Sequence, residues 1–271
     1  MTFRNREEVA MTEAPAGRDR YRIEALARGL EVLMLFGGSE RSLRTSEIAA
    51  RTGVPLPTTF RVVSTLVGMG FLERDDDGSL RPGLAVLALG SAALRSSSLL
   101  EASDRPLRRL ADLTGETINL GVLSADRTLY VARLRNADLV TANVAVGTTL
   151  PAPYTSMGKL LLAHLEDDEV ARRLTPESFP AGAGPHAVRE LDEVMAHIRR
   201  IRQDGYSIQD EELAQGLRSI SVAVLARDGT TLAALNVAVS ASRHAVETLV
   251  PTFLEPLQAA AAEISMRLQN S

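Results

Sequence analysis

The sequence predicts an α+β chain in two parts. Three observations carry this: apolar residues at helical spacing near the start, glycine and proline punctuation between short elements after them, and a change of texture beyond Gly115 to alternating, strand-like pieces. With 271 residues, 45% of them hydrophobic, the chain can bury two cores. It holds no cysteine, which excludes a disulfide framework, a thiol nucleophile and a thiolate metal site, and which fits a reducing cytoplasm. Neither a signal-type apolar leader nor an uninterrupted apolar run of roughly 18 residues is present, so neither secretion nor membrane insertion is expected.

Residues 1–20 lack apolar periodicity and read as a mobile tail. From Ile23 the positions Leu26, Leu30, Leu33 and Phe36 recur at helical spacing, and Gly37-Gly38 ends that first helix. A short second helix, "TSEIAART", has Thr45 or Ser46 as candidate N-cap and turns Ile48 and Ala49 inward. Gly53 supplies a turn, and Pro55 and Pro57 fall in the first turn of a third helix, where a missing N–H costs nothing. In that helix Phe60, Val63, Leu66 and Val67 form the expected buried stripe, leaving Thr58, Thr59, Arg61 and Thr65 outward. Phe71 to Arg74 and Ser79 to Pro82 then read as two strands joined through an Asp-Gly turn. Helix, short helix, turn, helix and hairpin is the order of a winged helix-turn-helix, placed at residues 21–83.

Residues 84–98 read as a linker helix, its Leu84–Leu94 stretch apolar on more than one side, as a connector that packs on a partner would be. The second domain spans residues 99–271. It opens with a helix from Leu99 to Thr114, followed by strand-like "TINLGVL", "LYVARL" and "LVTANVAV" and a helical "TSMGKLLLAHL". A Pro/Gly-rich loop at Phe179 to Pro185, a helix from Glu190 to Gln203, the strands "SISVAVLA" and "LAALNVAV", and a helix from about Ala245 complete a largely antiparallel α+β domain.

The net charge of −4 argues against non-specific coating of nucleic acid. Residues 1–83 hold twelve arginines against twelve acids, and the remainder holds eighteen basic residues against twenty-two acids. A neutral first domain still binds DNA if its arginines share a face, since affinity follows phosphates neutralised locally. The candidate DNA-binding residues are Arg51, Pro57, Thr58, Thr59, Arg61, Thr65, Arg74 and Arg81. The threonines and Arg61 would meet base edges from the third helix, and Arg51, Arg74 and Arg81 would hold phosphates.

Along Ile23 to Leu268 the sequence resembles IclR-type bacterial transcription regulators, in "ALARGLEVLMLF", "SEIAARTGVPLPTTFRVVSTL", "VGTTLPAPYTSMGKLLLA" and "GYSIQDEELAQGLRSISVAV". "GLRSISVAV" with "AALNVAVSASR" is most similar to the subgroup regulating aromatic-acid catabolism through the β-ketoadipate pathway. The resemblance implies a winged helix-turn-helix, a linker helix and a C-terminal GAF-like effector domain, assembled as homodimer or tetramer on operator DNA. Leu56 departs from the Arg or Lys of many members, as do Ser219 from cysteine, Gln209 from an acid and Ala223 from proline.

In "PAPYTSMGK" a helix starting at Ser156 would offer free N–H groups and a positive dipole end to a carboxylate, beside the Thr155 and Ser156 hydroxyls. The resemblance adds Met157, Gln209, Leu217, Ser219, Asn236 and Ala238 to this effector site. Arg133, on an edge strand, reads first as a surface residue and second as a carboxylate partner. Two other readings compete with a ligand-responsive regulator. Ser156-Met-Gly-Lys159 has the Ser-x-x-Lys spacing of a serine acylase, but Lys159 is the sole lysine and the companion Lys-Thr-Gly element is missing. A dimerisation adaptor without DNA contact would need only the linker helix. His164, His186, His197 and His244 form no metal-ligand spacing, and no cofactor or metal is expected. The expected partners are operator DNA, a small carboxylic acid of aromatic kind and a second copy of the chain, with no membrane.

Overall fold

The computed structural model describes residues 22–37, 42–135 and 144–269; the expected mobile tail at residues 1–20 lies outside them. The chain divides into two compact units between Leu87 and Ala88.

The first unit comprises α1 (Glu24–Met34), α2 (Thr45–Thr52), α3 (Leu56–Gly68), β1 (Leu72–Arg74) and β2 (Leu80–Pro82). Gly53, in the left-handed region at φ 66°, ends α2 and turns the chain into α3. The N-cap of α2 is Arg44, whose N–H donates to the Glu47 carboxylate at 2.6 Å, so Thr45 and Ser46 sit inside the helix. β1 and β2 pair antiparallel from Leu72↔Pro82 to Arg74↔Leu80, and an isolated bridge from Leu43 to Leu80 extends the hairpin. Val32, Leu43, Ile48, Val63, Leu66, Leu72 and Leu80 close the core.

Two expected stripes differ from those observed. In α1 the buried residue is Val32, while Leu26 and Leu30 are exposed and form, with Ile23 and Met34, an apolar stripe on the outer surface. In α3 the helix is turned about its axis: Thr59 is 1% exposed and Phe60 is 57% exposed, the reverse of the expectation. The Thr59 hydroxyl lies 3.1 Å from the Val54 carbonyl and 3.3 Å from that of Pro55. That local bond satisfies the buried hydroxyl, while Val63 and Leu66 remain the buried apolar positions of α3.

α4 (Leu84–Arg95) crosses the division between the units. The second unit contains α5 (Ser98–Thr114), β3 (Thr117–Ser124), β4 (Arg127–Leu134), β5 (Thr149–Pro151) and α6 (Ser156–Ala163). After these come α7 (Asp167–Arg173), α8 (Leu191–Asp204), β6 (Ser207–Asp210), β7 (Leu217–Leu225), β8 (Thr231–Ser240) and α9 (Leu249–Gln269). The strands form one antiparallel sheet in the order β5-β4-β3-β8-β7-β6. One face carries Ile118, Leu120, Ile220, Val222, Leu235 and Val237 against Leu107 and Leu110 of α5 and Phe253, Leu257 and Ile264 of α9. α6 lies on the other face, buried along its whole length.

The strand expected at Leu139–Val146 falls largely outside the described residues, and Val144 to Val146 are not in a strand. β5, β6 and α7 were not expected from the sequence. α6 approaches the sheet closely because residue 158 is glycine: a Cβ there would stand 2.3 Å from the Ala152 carbonyl oxygen and 2.6 Å from the Thr128 hydroxyl.

Gly158→Ala therefore reverses the usual helix preference for alanine. Overpacking is expected to cost about 1–3 kcal/mol, read as a lower midpoint in urea unfolding, and a gain in stability would refute the close-approach account.

Candidate functional site

On the first unit, α3 exposes Leu56, Pro57, Phe60, Arg61, Ser64 and Thr65, with Thr58 half-buried. Thr59, expected at base edges, is instead buried, its hydroxyl donating to the Val54 carbonyl. The Thr65 hydroxyl donates to the Arg61 carbonyl at 2.9 Å. Arg61 is exposed and enters no ion pair among the described residues. Arg51, in the last turn of α2, is exposed. In the hairpin Arg74 donates to the Gly78 carbonyl at 3.1 Å, whereas Arg81 is held by Glu73 at 2.6 Å and Asp75 at 2.8 Å. A phosphate must displace those two acids to use Arg81.

In the second unit, strand register assembles the other site. Arg133 of β4, Asn119 of β3 and Asn236 of β8 stand in one row, with Ser219 of β7 and Gln209 of β6 one step along on the same face. Arg133 Nη1 donates to Asn119 Oδ1 at 3.1 Å, and Asn119 Nδ2 to Asn236 Oδ1 at 2.7 Å. Asn236 Nδ2 continues the chain to Ser156 Oγ at 3.4 Å, Ser156 and Ser219 share a hydroxyl hydrogen bond of 2.8 Å, and Ser219 donates to Gln209 Oε1 at 3.4 Å. Thr155 caps α6 by accepting the Gly158 N–H at 2.9 Å and is itself fixed by the Thr128 hydroxyl at 2.9 Å.

This row lines a small cavity of about 20 Å³, partly open to solvent. Its walls include Thr155, Gln209, Leu217, Ser219, Asn236 and Ala238, all expected from the sequence. Ser156 adjoins it through its bonds to Ser219 and Asn236. Met157 does not line it: that side chain is fully buried in the core beneath α6. Arg133, read first as a surface residue, is a wall residue, and the expectation is corrected accordingly. Asn119, Tyr130, Tyr154 and Leu213 also line the cavity and were missed. Burial pushes the Tyr130 phenol well above its ordinary range, so it faces the cavity neutral. Gln209 is 1% exposed, and its Nε2 has no acceptor among the described residues, leaving a desolvated donor for a ligand oxygen.

Lys159 is turned away from the serine. Its ammonium meets both carboxylate oxygens of Glu212, at 2.5 and 2.6 Å, with 2% and 8% of the two side chains exposed. It is therefore not the base of a serine nucleophile. Glu212 follows β6 in the turn that carries the wall residue Leu213, so the pair ties α6 to that turn. Burial draws the Lys159 ammonium below its ordinary value and pushes the Glu212 carboxyl above its own, each opposed by the other's charge.

Residues 25–76 match the family description "IclR helix-turn-helix domain", and residues 91–266 match "Bacterial transcriptional regulator IclR C-terminal". The chain is 35% identical over 246 residues to the Pca regulon regulatory protein of Pseudomonas putida, covering 90% of this chain and 84% of that protein. It is 28% identical to an IclR homologue from Microbacterium hydrocarbonoxydans crystallised with 4-hydroxybenzoate, at a TM-score of 0.70 over 91% of this chain and all of that one. An IclR family regulator from Brucella abortus superimposes with a TM-score of 0.78 at 26% identity, over 94% of this chain and 96% of that one.

Removing one member of a buried ion pair leaves the other charged and unpaired. Lys159→Met is expected to lose about 3–5 kcal/mol near neutral pH. Because the Glu212 pKa is raised by folding, its neutral form is stable in place at low pH and that stability is lost as pH rises through the folded value. The deficit of Lys159→Met relative to the parent should shrink as pH falls from neutral toward the ordinary carboxylate value in urea unfolding; a deficit independent of pH would refute it.

Proposed function

The chain belongs to the IclR family of bacterial transcriptional regulators, a DNA-binding regulator and not an enzyme, and on that premise we propose that it senses a small carboxylic acid of aromatic kind and thereby controls a catabolic operon. The observation that carries the proposal is the buried row from Arg133 to Gln209, which ends in an unpartnered amide donor beside the N-terminus of α6. Arg133 is the natural counter-ion for a carboxylate, the Tyr130 and Tyr154 rings offer aromatic contact, and Gln209, Ser219 and Asn236 select polar substituents. The likeness to the Pca regulon protein and to the homologue holding 4-hydroxybenzoate supports the aromatic class.

In this reading Arg61, Thr58, Thr65 and Pro57 face the major groove, and Arg51, Arg74 and Arg81 hold phosphates, in the cytoplasm. A neutral reading unit gains affinity by pairing, since two half-sites engaged together raise the effective concentration of each. The exposed stripe of Ile23, Leu26, Leu30 and Met34, and Leu84 and Leu87 of α4, are the surfaces for a second copy. Residues 84–98 are then the linker through which the acid favours one arrangement of the reading heads; equal affinity for both would shift nothing.

Thermal unfolding with benzoate and 4-hydroxybenzoate tests the sensor, because binding to the native state alone stabilises by about 2.7 kcal/mol at a hundredfold excess over Kd. A shift in the parent that Ser219→Leu abolishes is expected; no shift with either acid would overturn the reading. Arg61→Ala should remove specific operator retention in a gel shift while the circular dichroism is retained. Leu26→Glu with Leu30→Glu should lower the mass measured by light scattering to that of one chain, and an unchanged mass would refute the pairing surface.

A further inference from the structure

The first half of α3 is short of polar groups that reach outward. Thr59 is spent on the Val54 and Pro55 carbonyls, and Thr58 is half-buried. What stands out from the helix there is apolar: Leu56 at 52% exposure and Phe60 at 57%, one turn apart and beside Arg61. Exposing an aromatic ring and a leucine on a small domain forgoes the burial that stabilises such side chains elsewhere. Neither belongs to the core of the first unit, and neither lies on the α1 stripe.

We infer that Leu56 and Phe60 are specificity-determining residues that read thymine C5-methyl groups in the major groove. The inference rests on the reading of α3 as the DNA-contacting helix. In a helix-turn-helix the N-terminal residues of the second helix meet base edges, and the thymine methyl is the one apolar group the major groove displays. Residues four apart on a helix have Cβ atoms about 5–6 Å apart, and base pairs rise about 3.4 Å each. The two side chains therefore span adjacent or next-adjacent pairs. Arg61, flanking the ring, supplies the hydrogen-bonding donor for a neighbouring guanine or phosphate. An apolar reader also accounts for Leu56: a lysine or arginine there would add phosphate affinity, whereas leucine exchanges that for contact with a methyl.

The test begins with binding-site selection by the full-length protein from a random duplex library, which yields an operator sequence directly. Each thymine of the selected half-site is then replaced singly by deoxyuridine, which removes the methyl and leaves every hydrogen-bonding group. The expected result is a loss of about fourfold in affinity at one or two adjacent thymines, the worth of one buried methyl-sized group. Phe60→Ala should bind thymine and deoxyuridine duplexes equally at its step, as should Leu56→Lys at the neighbouring one, with a steeper salt dependence in the latter. Indifference of the parent protein to deoxyuridine at every position, or a Phe60→Ala variant that keeps the full penalty, would overturn the inference while leaving DNA binding intact. Failure to enrich any sequence would overturn the DNA-reading role of α3 itself. A change of oligomeric mass in Phe60→Ala would assign the ring to a second copy of the chain and overturn the inference likewise.

Discussion

Placing a row of polar side chains inside a sheet is the constraint around which the second unit is organised. A buried amide or hydroxyl left without a partner costs about 1–3 kcal/mol, so five strands and a helix must hold register closely enough for each group to meet the next. Antiparallel pairing does this by setting Asn119 opposite both Arg133 and Asn236, and Gln209 opposite Ser219. α6 must then come near enough for Ser156 to join the row. That approach is possible because Gly121 of β3 and Gly158 of α6 carry no side chain where Thr128, Met157 and Ala152 press in. The opposite face packs a largely apolar set of side chains against α5 and α9, with the Arg218–Asp210 pair at its β6–β7 edge.

Element order and extent were largely legible because punctuation marks them. Gly53, Pro55 and Pro57 fix the start of α3, the Asp-Gly turn fixes the hairpin, and Gly115 and Gly205 end α5 and α8 in the left-handed conformation. Helix rotation was less legible. An apolar stripe read from spacing places Phe60 inside; Thr59 is buried there instead, its hydroxyl satisfied by the Val54 carbonyl, and hydrophobic periodicity carries no information about a polar residue satisfied locally. Leu26 and Leu30 mislead for a different reason, since one periodic pattern serves a core and an outer surface alike. In the second unit Asn119 and Asn236 lie 117 residues apart in sequence and meet only through strand order. Met157, adjacent to Ser156, points to the core because successive helix residues face different directions.

The two units differ in where they place charge. In the first unit arginines are offset locally, Arg81 of the hairpin by Glu73 and Asp75, and Arg44 at the start of α2 by Asp77 of the hairpin turn. The second unit has exposed pairs of the same kind, such as Arg108 with Asp104 and Arg200 with Asp204. It adds pairs with a buried or half-buried member: Arg243 meets Glu116, which is 4% exposed, Lys159 meets Glu212, and Arg218 holds Asp210 where β6 meets β7. Ion pairs at exposed positions contribute little, whereas those out of water fix geometry at the expense of desolvation.

The sole lysine of the sequence has an outcome beyond its bond to Glu212. With Nζ enclosed between α6 and the turn after β6, the folded chain presents no lysine side-chain amine to solvent. Acylating reagents and cross-linkers aimed at lysine find no side-chain target until this domain opens. Labelling at Lys159 is thus a single-site clock for local opening of the domain that holds α6.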